Sequence, residues 1–453
     1  MREECVINIR DTWIQEVEGH QFRYPVPEGA KDFYFQGFCR CNDSSMDFMG
    51  WYGLVLMVQS GRAVQMDCTV TATLCEGEPL SITLALLLEE GRNTVVVPFA
   101  DFPVETAAED RWQFVNGIEV SFGETVSLTG LYAVRAKGIF AEVPVKGKSQ
   151  ESGESVLYEG IIYNCTDKDM VIELQQVFEG WESMLAELNV MRLGTGQKAD
   201  LESRRAGKAE PYGVMKFTVR LTVHDSMVPG GHENTRIRVT GRNGYGTFSQ
   251  ELVLKTMRAL PHPYIYHDRT GWQKVMDKIR EYPVYEKTYQ EYIAAAEQWE
   301  VHAAAEGRDY CYETREETNV MAAAYAYALT GDEKYARKLA AFFRYFTDEK
   351  TGYPARLKGC SQNYVQEGHF FQHLAIPYDI IYDSECLSQA DRDAVEKTFR
   401  IYMEQLDKHI RSGKISNWLI SEIMGALYCA LAIQDMDRAL RFLFGNGGLI
   451  QQS

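Results

Sequence analysis

The chain has 453 residues, enough for two or three domains, with 45% hydrophobic and 12% aromatic residues to fill their cores. A formal net charge of −17 argues against general binding to nucleic acid or anionic membranes. No apolar run approaches the roughly 18 residues that a membrane span needs.

Ten cysteines are scattered along the chain, and only Cys39 and Cys41 stand close together. That spacing lacks the partner pair of a zinc site, so the cysteines read as reduced, mostly buried thiols. The opening MREECVINIRDTW has no apolar leader. Together these features predict a cytoplasmic protein, or a secreted one if a leader has been removed.

Residues 1–146 are written in period two. In VQMDCTVTATLC, Val64, Met66, Cys68, Val70, Ala72 and Leu74 alternate with Gln65, Asp67 and threonines, the mark of a strand with one face in a core. LSITLALLL and RNTVVVPFADFP continue in the same style. The expectation is an antiparallel β-sandwich of jelly-roll, carbohydrate-binding type. Its Trp13, Trp51, Tyr52 and Trp112 read as core aromatics first and as a sugar platform second.

The polar stretch VKGKSQESGESV reads as a linker. A second β region, 155–257, follows, with MKFTVRLTV, TRIRVTG and QELVLKT as strands and NCTDKD and VPGGHEN as turns. Its size fits an immunoglobulin-like β-sandwich.

After RALPHPYIYHD the period becomes 3.6, and residues 260–453 read as α-helical. EETNVMAAAYAYALTGDEKYARKLAAFFRYF predicts two helices joined at Thr330-Gly331-Asp332, with Gly331 as the C-cap. YALTGDEKYARKL resembles LAIQDMDRALRFL, and repeated helical hairpins predict a stacked solenoid or closed toroid. The fold class expected is therefore multidomain β plus α: two antiparallel β-sandwich modules, then an incomplete (α/α) toroid.

Three places carry candidate chemistry. In SNWLISEIMGALYCALAIQD, Leu419, Ile420, Ile423, Met424, Leu427 and Leu431 form a buried stripe, and Ser416 or Asn417 stands where an N-cap belongs. Asn417 is thus a cap, or an amide aimed into a cleft to bind a carboxylate. In CSQNYVQEGHFFQHLAIPYDIIYD, the residues Asn363, Tyr364, Gln366, Glu367 and His369 crowd a loop-to-helix junction. A helix start needs one cap, so these are solvated polar groups or groups that read sugar hydroxyls and carboxylates. Arg356 with Lys358, and Arg411 with Lys414, could draw a polyanion if they face the same cleft. No phosphate loop, dinucleotide fingerprint or metalloprotease helix occurs, so no cofactor is implied and metal dependence stays open.

These segments resemble the heparinase II/III-like polysaccharide lyases over residues 260–453. LPHPYIYHDRTGWQKVMDKIREYPVYEKTYQEYI is similar to that family's lead into its toroid. VQEGHFFQHLAIPYDIIYD is similar to its helix ending in Ala-Tyr-Asp, here Pro377-Tyr378-Asp379, and SNWLISEIMGALYCALAIQD to its Asn-Trp helix. The resemblance implies β-elimination on a uronic-acid polysaccharide such as heparan sulfate or alginate. Asn417 would neutralise the uronate carboxylate; Trp418, Asn363, Tyr364, Gln366, Glu367, His369, Arg356 and Lys414 would bind substrate. The partner expected is an acidic poly- or oligosaccharide, with no nucleic acid and no membrane.

In that family a catalytic tyrosine follows the Asn-Trp helix, and this chain stops first; Tyr428, inside the apolar helix, does not replace it. The expectation is an N-terminal part of a lyase that is inactive alone. Two alternatives stand beside it. A glycoside hydrolase needs two opposed carboxylates. Glu367 and Asp379, 12 residues apart on one helix, would be about 18 Å apart, so another partner such as Glu422 would be needed. A non-catalytic carbohydrate-binding protein would bind glycans without turnover.

Overall fold

The computed structural model describes residues 5–8, 32–36, 51–72, 80–102, 115–123, 126–179, 184–192, 206–303, 314–356, 364–410, 417–445 and 447–452. The chain is mixed β and α, with every described strand before residue 259 and every described α-helix after residue 268. It divides into two compact units. One comprises residues 1–145, 157–221 and 235–254; the other comprises 146–156, 222–234 and 255–453.

The first unit begins with β1 (Cys5–Asn8), β2 (Asp32–Gln36), β3 (Gly53–Ser60), β4 (Val64–Ala72), β5 (Leu80–Leu88), β6 (Gly91–Pro98), β7 (Val115–Phe122) and β8 (Ser127–Val134). These form sheets of order β1-β2-β7-β4-β5 and β6-β3-β8. Val64, Met66, Cys68 and Val70 of β4 are buried, as the alternation predicts, and share one core with Leu54, Leu56 and Val58 of β3. Burial pushes the Cys68 thiol up to about 12, so it sits there as a small apolar group. Trp51 and Tyr52 are half-buried, and the Arg135 guanidinium lies 4.4 Å from the Trp51 ring centre. Ala72 and Leu74 as core residues, Trp13 and Trp112 lie outside what is described.

The next strands are β9 (Ile139–Glu142), β10 (Gly147–Gln150), β11 (Ser155–Asn164), β12 (Met170–Val177), β13 (Glu187–Arg192), β14 (Ala206–Ala209), β15 (Val214–Thr222), β16 (His232–Asn243) and β17 (Gly246–Arg258). In the first unit they form the sheets β13-β15-β11-β9 and β17-β16-β12-β14. Met215, Phe217, Val219 and Leu221 of β15 are buried in strict alternation. Strand β9 pairs with β11, although sequence spacing groups it with the strands before it.

The stretch 145–156, expected as a linker, is not one. Its Gly147–Gln150 is strand β10, paired in parallel with Lys255–Arg258 of β17 in the second unit. Backbone ladder bonds order such an edge strand without apolar side chains, so composition alone misses it. Gly147 is needed there, because a Cβ would strike Asp435 Oδ1 and lie 2.7 Å from the Asp437 amide nitrogen.

The helices of the second unit are α1 (Arg269–Glu281), α2 (Pro283–Gln298), α3 (Thr314–Thr330), α4 (Glu333–Phe346), α5 (Tyr353–Arg356), α6 (Tyr364–Ile381), α7 (Gln389–Ile410), α8 (Asn417–Ala432), α9 (Met436–Phe444) and α10 (Leu449–Gln452). Helices α3, α6 and α8 lie side by side, with α4, α7 and α9 packed on them as a second layer. The predicted hairpin joints are present. Gly331 has φ +69° and donates to the Tyr327 carbonyl, and Asp332 caps α4 by accepting from the Lys334 amide at 3.0 Å. In the second copy of the phrase Gln434 takes the left-handed position, with φ 54°, and Asp435 caps α9 at 3.2 Å.

Gln434 is tied down by the segment that leads into the helices. Its Oε1 accepts from the Leu260 amide at 2.8 Å, and its Nε2 donates to the Leu260 carbonyl at 2.8 Å and toward His262 Nε2 at 2.9 Å. His262 Nε2 therefore accepts, which leaves Nδ1–H to donate to Asp379 Oδ1 at 2.8 Å. Asp379, 1% exposed near the end of α6, also accepts from the amides of Tyr264 and Ile265 at 3.0 Å. The Tyr264 hydroxyl donates to the Leu431 carbonyl on α8. One segment thus gathers the C-terminal ends of α6 and α8.

Removing the Asp379 carboxylate takes the acceptor from the buried His262 and from the half-buried amides of Tyr264 and Ile265. Asp379→Ala is expected to cost about 3–5 kcal/mol in urea unfolding. A loss below about 1 kcal/mol would show that the segment is held by other contacts.

Candidate functional site

Helices α6 and α8 run in the same direction, because their C-terminal ends share the 260–265 segment and their N-terminal halves touch. The touch is backbone on backbone. A Cβ on Gly368 would lie 2.6 Å from the Ser421 carbonyl oxygen, and one on Gly425 would strike the Gly368 carbonyl oxygen. Only glycine permits such approach. Helix α3 is parallel to them: Glu317, near its start, meets His373 of α6. Just past its end, Glu333 accepts from the Ser384 hydroxyl beyond α6 at 2.9 Å. The three helices therefore point their partially positive N-termini the same way, with those of α6 and α8 side by side.

Behind the glycine contact lie two carboxyls, Glu367 and Glu422, each 2% exposed. The Tyr353 hydroxyl donates to Glu367 at 3.4 Å. The Tyr402 ring stacks on Phe371 at 3.8 Å, and its hydroxyl donates to the Glu422 carbonyl at 3.0 Å. Burial, with lesser contributions from Cys429, Glu367 and Glu422, holds the Tyr402 phenol well above its ordinary range. Burial pushes the Glu422 carboxyl up from 4.5 to about 7. Two buried carboxyls therefore share this side of the contact, and Glu422 holds its proton through the mildly acidic range.

On the other side of the contact is a half-exposed polar face. From α6 it takes His369, which is exposed, with Gln372 and His373, which are half-buried. The imidazoles of His369 and His373 are 6.4 Å apart, and His373 Nδ1 lies 3.3 Å from Glu317 Oε2. From α8 it takes Ser421, Met424 and Tyr428, at positions four, seven and eleven beyond Asn417 and so on one helical face. Tyr325 of α3 stands close by, its phenol raised by burial and then by Tyr266, Tyr292 and Tyr428. To one side, Trp299 Nε1 donates to Glu316 at 2.7 Å. Among the described residues, no three of His, Cys, Asp and Glu converge on a metal position.

The sequence candidates fall as follows. Helix α8 begins at Asn417, and α6 begins at Tyr364. The side chains of Arg356, Tyr364, Gln366, Asn417 and Trp418 lie outside what is described, as do Asn363, Lys358, Arg411 and Lys414 entirely. Glu367 is a buried group behind the helices rather than part of their exposed junction, and His369 does reach the surface. Asp379 is committed to the 260–265 segment.

The buried stripe of α8 also differs from expectation. Leu419 and Ile423 are buried along with Glu422, Ala426 and Cys429, whereas Ile420, Met424, Leu427 and Leu431 are only half-buried. The shift follows from the glycine contact, which draws the small-residue side of α8 against α6. Sequence reading set Tyr428 aside as interior to an apolar helix, and passed over Tyr266 and Glu317. The spacing of Asn417, Ser421 and Tyr428 was the available signal.

No protein-family model matches the chain, and no curated protein matches it. Among solved structures, a PapD-like domain of human CEP192 is 13% identical, with a TM-score of 0.20, covering 28% of this chain and 88% of that one. A family 123 glycoside hydrolase from Clostridium perfringens is 10% identical, with a TM-score of 0.19, covering 29% of each chain. A β-glucuronidase from Parabacteroides merdae is 10% identical, with a TM-score of 0.18, covering 79% of this chain and 47% of that one. Likenesses this slight assign neither a fold nor a function.

Between pH 4.5 and about 7 the folded chain holds a Glu422 proton that the unfolded chain has released, so stability is lost as pH rises through that window. Glu422→Gln has no such proton to lose. Thermal melts across the window are expected to diverge in the variant's favour, by on the order of 1–3 kcal/mol. Parallel profiles would show that the Glu422 carboxyl is not raised.

Proposed function

We propose that this chain is part of a heparinase II/III-like polysaccharide lyase, with two β-sandwich modules ahead of an (α/α) toroid. It acts on an acidic, uronic-acid-containing polysaccharide or oligosaccharide. One observation carries the reading. Two segments picked out separately in the sequence, around 364–369 and 417–422, begin adjacent parallel helices that touch at Gly368 and Gly425.

In this reading the uronate carboxylate binds at the shared N-terminal end, where helix dipoles favour an anion. The Asn417 amide donates to that carboxylate and stabilises charge that develops on it as the adjacent carbon loses its proton. His369 reaches the surface beside that end and binds substrate, with His373 and Glu317 next to it; Tyr364, Gln366 and Trp418 are assigned to the same rim. Glu367 supports the site from behind.

Glycoside hydrolysis has one specific observation in its favour: Glu422, protonated near neutrality, could act as an acid with Glu367 as its partner. Both carboxyls are buried behind the glycine contact, however, on the far side from the polar face. The lyase reading uses the face that substrate can reach.

Asn417→Asp separates a cap from a carboxylate binder. Aspartate caps a helix as well as asparagine does, but it sets a negative charge against the substrate anion. Binding to heparan sulfate, hyaluronan and alginate is to be measured by calorimetry, with ultraviolet absorbance followed for unsaturated uronate. The expected result is saturable binding to at least one uronate polymer, none to neutral amylose, and a loss of at least about tenfold in Asn417→Asp at unchanged melting temperature. No binding to any uronate polymer, or reducing ends released without the chromophore, would sink the lyase reading.

A further inference from the structure

We infer that Tyr266, Tyr428 and Gln372 form a second sugar-binding subsite, one that holds a pyranose ring away from the sugar at Asn417. The inference rests on the proposed action on an acidic polysaccharide and adds a separate place along its chain.

Tyr266 lies between the 260–265 segment and α1, and it is 40% exposed. It is packed against its neighbours. The side chains of Tyr428 and Gln372 lie beside its hydroxyl. Its ring meets the Tyr428 ring edge-on, with centres 6.3 Å apart and planes at 86°. Burial, then the neighbouring Tyr428, raises the Tyr266 phenol above its ordinary range.

Around this trio stand other aromatics with polar edges. Tyr325 packs edge-on against Tyr292 at 5.2 Å and lies 5.8 Å from Trp272. The buried indole N–H of Trp272 has no hydrogen-bond acceptor among the described residues. A rigid, partly exposed tyrosine flanked by an amide suits a sugar ring, whose apolar C–H face stacks on the aromatic while its hydroxyls take the amide and phenol. Because the Tyr266 ring is already packed edge-on against Tyr428, little side-chain entropy is lost on binding.

The subsite differs in place from the end that carries Asn417. Tyr428 lies eleven residues along α8, about 16 Å by the helical rise, and on the same face. A ligand must therefore be an oligosaccharide to reach both. Short ligands feel only one site.

The test compares a uronate hexasaccharide with the corresponding disaccharide by calorimetry on the full chain. The polymer type is the one found to bind best. Tyr266→Ala is expected to weaken hexasaccharide binding about tenfold, while leaving disaccharide binding at the Asn417 end unchanged. Tyr266→Phe keeps the ring and is expected to lose about threefold or less. Gln372→Ala, which leaves the ring in place and removes only the amide, is expected to fall between the two.

If wild-type chain binds the hexasaccharide and Tyr266→Ala, still folded by circular dichroism, binds it equally well, the subsite is refuted while the function stands. Equal weakening of disaccharide and hexasaccharide would also refute it, since that places Tyr266 at the Asn417 end. If the wild-type chain binds neither ligand, the functional reading falls and this one with it.

Discussion

The backbone contact between Gly368 and Gly425 sets the rest of the helical unit. Two helices normally pack at 8–10 Å between axes because side chains intervene. Here a carbonyl oxygen of one helix fills the space where a Cβ of the other would stand. The flanking residues then have no freedom. Glu367 and Glu422 are forced behind the contact, while Gln372, His373, Ser421 and Tyr428 are left on its open side. Any side chain at either glycine would push the helices apart and separate the two halves of the candidate site.

Such a contact is held from the other end. The 260–265 segment spans the C-terminal ends of α6 and α8 through Asp379, Leu431 and Gln434, so the helices cannot splay about the glycine pivot. Gln434 shows how the device is built. In the first hairpin, glycine occupies the left-handed joint without strain. In the second, a residue with a side chain takes the same conformation, and its amide binds both main-chain groups of Leu260. The strain of that backbone position, of order 1–3 kcal/mol, is offset by hydrogen bonds that a glycine could not make.

Much of this was legible in the sequence, and the parts that were not share a cause. Period-two alternation in VQMDCTV gave β4 with its buried face, and the change of period after residue 260 gave the helices and the joint at Gly331. Strand β10 was missed because an edge strand needs ladder bonds rather than apolar residues. The α8 stripe was displaced because small residues, which carry little hydrophobic signal, face the closest neighbour. Glu367 read as one of five exposed polar groups, yet it turns inward. Nothing in the spacing of one helix reports a contact with another helix fifty residues away. Tyr266 was passed over for the same reason: its partners, Gln372 and Tyr428, are remote in sequence.

Helices α6 and α8 differ from α9 in what a polar residue signifies. On α9 the charged residues are accounted for by named partners: Arg438, though buried, donates to Glu404 and the Arg400 carbonyl, and Asp437 pairs with Lys255. On α6 and α8 nearly every position is enclosed, so each polar side chain has displaced an apolar one that would have packed at no desolvation cost. The polar positions are also ordered by side. Carboxyls lie behind the glycine contact, where burial raises one of them to about 7; histidine, glutamine and tyrosine lie in front. Burial raises the Glu422 carboxyl to about 7, so part of the negative charge behind the contact is withdrawn near neutrality while the helix N-termini keep their partial positive charge.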